Sequence, residues 1–307
     1  MNNKFISVYA VIATAALAYF GYAFTRNSPQ HIATSLSTLG ATKDYVIRPF
    51  SLDKPFSFCD ENVPMDNFDA RERLDRELLV NAYMQASTIS HVKLAARYFP
   101  TIEKILSEQG MHDDIKYLAV AESALRNVGS PAGAKGIWQF MAPVARQYGL
   151  EVTDEIDERF NLEKATVAAC NLLKDNHKGT GGSWLLAAAA YNEGLPRLRK
   201  EMTEQRSSSY YDTHLNEETS RYVSRIVALK EIMLHPADYN FEIPSADRYP
   251  EINDYTTMEV NTVVPNWGDF AKKYGTNYRK LRLYNPWIIG TALTKPTRTY
   301  VVKLPKG

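Results

Sequence analysis

The sequence predicts a mainly α-helical protein that ends in a small βααβ unit. Two observations carry this. Between about residue 66 and residue 234, apolar residues recur at helical spacings and strand-like alternation is scarce. After residue 254, two short stretches rich in Tyr, Thr and Val flank two short helical ones. The length of 307 residues corresponds to about two domains. Apolar residues at 45% and charged residues at 23% exclude a disordered or collagen-like chain.

The first element is an uncharged, mostly apolar run from Phe5 to Phe24, with Lys4 before it and Arg26 after it. A helix of that length rises about 30 Å, enough to cross a bilayer core. Residues 1–26 are therefore a retained membrane anchor or a cleaved signal peptide. The length favours the anchor, and Gly21 and Ala23 fit a small-x-small cleavage site. Either way the remainder is exported. No cysteine follows the run to accept a lipid. Residues 27–65 are polar and Pro-spotted and read as a tether, reaching on the order of 35 Å. Helical periodicity then begins, with Leu74, Leu78, Leu79 and Ala82 on one stripe. Further helical segments fall at 92–109, 113–125, 138–148, 161–177, 183–195 and 217–234. Residues 240–253, with two prolines and no period, read as a linker between a domain at 66–239 and one at 254–307. In the latter, 255–264 and 299–304 are β-rich, and 266–274 and 277–284 are helical.

One carboxylate lies on an apolar face. Asp113 or Asp114 can cap a helix. Ile115, Leu118, Ala119 and Leu125 mark its apolar side, and Glu122 falls seven, four and three residues after the first three. A carboxylate there is desolvated, which raises its pKa, and a glutamate protonated near neutral pH suits a general acid. The alternative is a helix-surface ion pair with Arg126. The chain then enters a turn-rich loop, Asn127 to Phe140, whose glycines forbid a continuous helix. It lacks the strand and the Lys-Ser/Thr of a phosphate loop. Trp138 and Gln139 present a flat apolar face and an amide, groups that hold sugars, although Trp138 is equally readable as core. Ser183 caps a helix with four consecutive alanines that ends at Tyr191, Asn192 and Gly194.

These motifs stand in a fixed order: Glu122-Ser123, Gly136-Ile137-Trp138-Gln139, Ala190-Tyr191-Asn192, and the segment Glu218 to Val223. Over about residues 70–235 they resemble the soluble-lytic-transglycosylase domain, whose fold is lysozyme-like. With the upstream helical region and the C-terminal unit, the chain looks most like the membrane-bound lytic murein transglycosylase D group. The resemblance implies that Glu122 is the sole catalytic acid and base. It also implies that Ser123, Ser130, Gly136, Ile137, Trp138, Gln139, Tyr191, Asn192 and Tyr222 line a sugar cleft. The usual Gly-Leu-Met-Gln is Gly-Ile-Trp-Gln here. The implied reaction cleaves peptidoglycan strands without water and leaves 1,6-anhydromuramyl ends. Most glycosidases use two carboxylates. No second acid lies in the glycine-rich loop or at the start of the Tyr-Asn helix, and Glu193 is read as solvent-facing. Two other outcomes fit the same motifs: hydrolysis, as in goose-type lysozymes, and a non-catalytic wall-binding scaffold.

The C-terminal unit resembles a LysM module, a βααβ domain that binds N-acetylglucosamine-containing glycans. Trp267 to Gly275, Leu281, Asn285 and the strand Tyr300 to Pro305 carry the match. Residues 261–266 replace the usual Gly-Asp-Thr-Leu opening, so a packing domain without sugar affinity is the alternative. The partners implied are peptidoglycan strands and, through residues 1–26, a membrane, which places the protein in the cell envelope on the periplasmic side. Lys plus Arg is 36 against 35 for Asp plus Glu, so no global charge draws the chain to nucleic acid. The cluster Arg197, Arg199 and Lys200 reads as a solvated helix face. No cofactor is expected. The histidines show no metal spacing, there is no Gly-x-Ser-x-Gly elbow, and Cys59 and Cys170 form no framework or Cys-x-x-Cys pair.

Overall fold

The computed structural model describes residues 48–306. The apolar run at residues 5–24 and the first part of the tether lie outside them. Phe50–Gly307 form one unit. Ten α-helices and two small two-stranded sheets occur among the described residues. No helix among them is long and apolar enough to cross a membrane.

The chain enters through a short hairpin, β1 (Ser57–Phe58) and β2 (Glu61–Asn62). The tether reading fails here. Phe56, Phe58, Cys59 and Val63 are buried in the main core. The Glu61 carboxylate accepts hydrogen bonds from Ser183 Oγ, at 2.8 Å, and from the Trp184 N–H. A carboxylate at that position complements the positive end of a helix. A few apolar residues scattered among polar ones carry no period, so their burial is not visible in sequence.

Helix α1 (Phe68–Tyr83) is capped by Asn67, whose side chain accepts from the N–H groups of Asp69 and Ala70, and it buries Ala70, Leu74, Leu78 and Ala82. Helix α2 (Gln85–Glu108) begins at Gln85 rather than at residue 92, because the polar run after Met84 hides the helix from apolar periodicity. Helix α3 (Lys116–Ser123) follows a 3-10 turn at Asp113–Ile115, and the cap is His112, not an aspartate. Asp114 instead accepts from the Cys59 N–H and from Lys230 Nζ, at 2.8 and 2.7 Å. Helix α4 (Ala142–Gln147) is shorter than predicted, since Trp138 to Met141 belong to the loop. Then come α5 (Leu162–Gly179), α6 (Trp184–Glu193), α7 (Leu195–Gln205) and α8 (Glu217–Leu234). The predicted span 183–195 ends at Glu193, and α7 is a separate helix carrying the Arg197–Lys200 face. Ala187 to Ala190 are all buried and let α6 lie close against α5 and α8. Helix α8 packs on α1, α3 and α6 and is the spine of the domain.

The C-terminal unit matches the predicted order within a few residues. Strands β3 (Tyr255–Val260) and β4 (Tyr300–Pro305) pair antiparallel, Tyr255 opposite Pro305 and Val260 opposite Tyr300. Helices α9 (Trp267–Lys273) and α10 (Tyr278–Tyr284) are capped by Asn266 and Asn277. The linker, residues 240–253, is not a free tether. The Tyr249 N–H donates to the Lys93 carbonyl at 3.1 Å, and Lys93 and Arg97 on α2 lie over its ring at 4.9 and 5.1 Å. Cys59 and Cys170 are both free and buried.

Candidate active site

The predicted apolar face of α3 forms. Ile115, Leu118, Ala119 and Leu125 are fully withdrawn from solvent. The helix ends right after Glu122 and Ser123, because Ala124 and Leu125 adopt left-handed backbone angles. Glu122 is half-buried at this end and lines a cavity of about 370 Å³. Burial pushes its pKa up to about 7 against the opposing hydrogen bond from Tyr222 and the charge of Arg225, and Glu218 adds to the rise. No ion pair between Glu122 and Arg126 forms among the described residues. The Tyr222 hydroxyl, buried on α8, donates to Glu122 Oε1.

The glycine-rich loop packs against this helix end. Ser123 lines the same cavity but is largely buried, and its Oγ donates to the Ile137 carbonyl at 2.7 Å, so its hydroxyl ties the loop to α3. Gly136 has φ +83°, and a Cβ there would meet the Arg159 carbonyl oxygen at 1.8 Å. No other residue fits that close approach. Ile137 is buried as well. Trp138 is a correction: it is fully buried, its Nε1 donates to Thr166 Oγ1 at 2.9 Å, and its ring offers no face to a sugar. The indole N–H finds an internal partner, so the ring belongs to the core. Gln139 and Ser130 line the cavity. Gln139 Nε2 donates to the Gly136 and Val128 carbonyls at 2.7 and 3.1 Å, and Ser130 Oγ accepts from the Ala134 N–H at 3.0 Å.

At the end of α6, Tyr191 is half-buried and its hydroxyl donates to the Trp138 carbonyl at 2.7 Å. Burial, then the charge of Glu122, hold its pKa well above the ordinary value. Asn192 Oδ1 accepts from Thr219 Oγ1 at 2.8 Å. Both residues brace the loop and α8. Glu193 is the second correction. Its side chain is 3% exposed, not solvent-facing, and it accepts from Asn216 Nδ2 at 3.0 Å beside the α8 N-terminus. That positive helix end draws the carboxylate inward, while burial raises its pKa.

Sequence reasoning missed Asn81, His91 and Arg225, which also line the cavity, as does Arg126, which the sequence offers only as an ion-pair partner of Glu122. Arg225 follows Tyr222 by three residues, so helical spacing already places them on one face. Arg225 and Arg221 share the buried Glu77, at 3.6 and 2.7 Å. Burial, then the charge of Arg126, lower the His91 pKa to about 4, keeping the ring neutral. Elsewhere Cys59, His112 and Asp114 bring one potential metal-ligand atom each within 4.8 Å of one another. The Lys230 ammonium already neutralises Asp114, and burial pushes the Cys59 thiol pKa up, so this donor set disfavours a dication.

Residues 100–213 match the family model described as the transglycosylase SLT domain, and residues 256–307 match the soluble lytic transglycosylase C-terminal LysM-like domain. Among curated proteins, membrane-bound lytic murein transglycosylase D from two strains of Escherichia coli is 28% identical over 246 residues, covering 78% of this chain and 52% of the relative. The chain thus spans about half the length of the curated relatives it matches. A solved structure of an inactive mutant of lytic transglycosylase Slt from Pseudomonas aeruginosa shares 21% identity, with 50% of this chain and 26% of that one covered at a TM-score of 0.39. Glu122, the glycine-rich loop, Tyr191 and Asn192 fall within the first matched segment, whereas Tyr222 and Arg225 lie beyond it. Residues 100–213 are thus similar to the transglycosylase SLT domain, and residues 256–307 behind them to the LysM-like domain of soluble lytic transglycosylases.

Proposed function

We propose that the protein is a lytic transglycosylase that cleaves the β-1,4 bond between N-acetylmuramic acid and N-acetylglucosamine in peptidoglycan. One observation carries the reading: a single half-buried carboxyl with a pKa near 7 lines the cavity and is held by a tyrosine hydroxyl. Such a group is present in both protonation states near neutral pH, as a residue that first gives and then takes a proton requires.

In this mechanism Tyr222 donates to Oε1, so the carboxyl proton of neutral Glu122 sits on Oε2. Glu122 transfers it to the glycosidic oxygen as the bond from that oxygen to the muramyl C1 breaks. The substrate's 2-acetamido oxygen stabilises the positive charge at C1, a substrate-assisted exception to the two-carboxylate scheme. The Glu122 carboxylate then takes the proton of the muramyl C6 hydroxyl, and that oxygen bonds to C1. The product is a 1,6-anhydromuramyl end, Glu122 regains its proton, and no water is consumed. The apolar run at residues 5–24 supports export to the periplasmic side of the envelope with the membrane as attachment.

The test is a digest of purified murein sacculi by wild type and Glu122→Gln, with product masses. Anhydro ends, lighter than reducing ends by one water, support the reading. Reducing ends mean hydrolysis. Sacculi that are bound but never solubilised mean a scaffold. Undiminished turnover by Glu122→Gln removes Glu122 from the chemistry.

A further inference from the structure

We infer that the C-terminal LysM-like domain is a built-in part of the active site, because it positions the glycine-rich loop through Asp157 and Arg159. The catalytic consequence rests on the function proposed above; the mechanical one does not. The chain between α4 and α5, residues 151–160, lies between the two domains and contacts both.

On one side this segment completes the C-terminal domain. Ile156 is buried in that domain's core with Trp267, Leu281, Trp287 and Ile288. The Asp157 N–H donates to the Trp287 carbonyl at 2.9 Å, and the Glu155 carbonyl accepts from the N–H groups of Ile289 and Gly290 at 3.0 and 2.9 Å. The Glu155 carboxylate accepts from Thr294 N–H and Oγ1 at 2.9 and 2.7 Å. A domain whose core borrows a residue from its neighbour is not an appendage on a string.

On the other side the segment holds the loop. Arg159 is 4% exposed and Asp157 1%. The Asp157 carboxylate takes Arg159 Nε and Nη2 in a two-pronged pair, each at 2.8 Å. Arg159 Nη1 is thereby aimed at the loop, donating to the Gly133 and Phe140 carbonyls at 3.0 and 3.1 Å. A bidentate pair fixes the guanidinium plane. Phe140 follows Gln139, and the Arg159 carbonyl is the surface on which Gly136 is pressed. Ser123 holds the same loop from the side of Glu122. The loop is therefore clamped between the acid-bearing helix and a segment whose position the C-terminal domain sets. Asp157 and Arg159 are positioning residues.

Gly290 allows a direct test in the full chain. A Cβ there would lie 2.9 Å from Glu155 Cα, so Gly290→Val wedges the domain away from the segment. Glu155→Ala, which removes the Thr294 contacts, is the milder second variant should Gly290→Val fail to fold. Amide hydrogen exchange in the loop, residues 129–140, rises about tenfold in these variants while the helical core exchanges as in wild type. On four-sugar GlcNAc–MurNAc oligomers, too short to need a distant wall-binding site, kcat falls about tenfold and KM stays within about threefold. Unchanged loop exchange with unchanged oligomer kcat overturns the inference, whatever happens to sacculus binding. A wild type that releases no product while the wedge still loosens the loop removes the enzyme reading and leaves the clamp standing.

Discussion

The Tyr222 hydroxyl donates to Glu122 Oε1 from a helix 100 residues further along the chain. A donor to the charged form favours it, so this bond pulls the carboxyl pKa down against the stronger effect of burial. Tyr222→Phe keeps the ring and removes the donor. The Glu122 pKa then rises further above the ordinary carboxylate range. The alkaline limb of the kcat profile moves to higher pH, while kcat at its optimum falls about tenfold as the carboxyl loses its orientation. A pH series on soluble glycan strands checks both; an unmoved limb would mean that Tyr222 does not set the proton affinity of Glu122.

The raised Glu122 pKa also has a cost in stability, and its sign is fixed by linkage. The folded-state value of about 7 lies above the ordinary 4.5, so the native state binds more protons between these values. Stability therefore falls as pH rises through that window, by about 3 kcal/mol in full above pH 7. Glu122→Gln has no proton to lose. It is more stable than wild type at pH 8 and close to it at pH 4, and urea unfolding at the two pH values measures the difference.

Ser123 and Trp138 have structural jobs that mutation separates from binding. Ser123→Ala leaves the buried Ile137 carbonyl without its donor and lowers stability by about 1–2 kcal/mol. If the hydroxyl instead met substrate, KM would change and the melting temperature would not.

Trp138→Phe keeps an aromatic in the core but deletes the donor to Thr166 and leaves a small void, at about 1–3 kcal/mol. Affinity for glycan fragments stays at the wild-type level once the protein is folded, as titration calorimetry reads. A loss of affinity with unchanged stability would restore the sugar-stacking role.

Much of this arrangement is legible in the sequence where spacing alone carries it. Glu122 reads as an intruder on an apolar face because the residues three, four and seven positions before it fix that face. The four elements of the C-terminal unit fall within a few residues of their predicted bounds, since turn residues bracket each one. What escapes is non-local. Phe56 and Phe58 have no periodicity, yet a hairpin folds them under the core. One loop tryptophan looks the same whether it faces a sugar or the interior. Glu193 follows a helix-ending motif and looks solvent-facing, but the N-terminus of α8, which arrives from later in the chain, covers it. The Asp157–Arg159 clamp is two ordinary charges in sequence, and only the packing of two domains gives them a shared task.

The two thiols supply an internal clock. Cys59 in the entry hairpin and Cys170 on α5 are unpaired and out of reach of solvent. An alkylating reagent can therefore act only on molecules that have opened, and the slow appearance of labelled protein reports how often the hairpin and α5 come away from the body. The chain thus carries its own probe of native-state breathing at two separate places, with no engineered label.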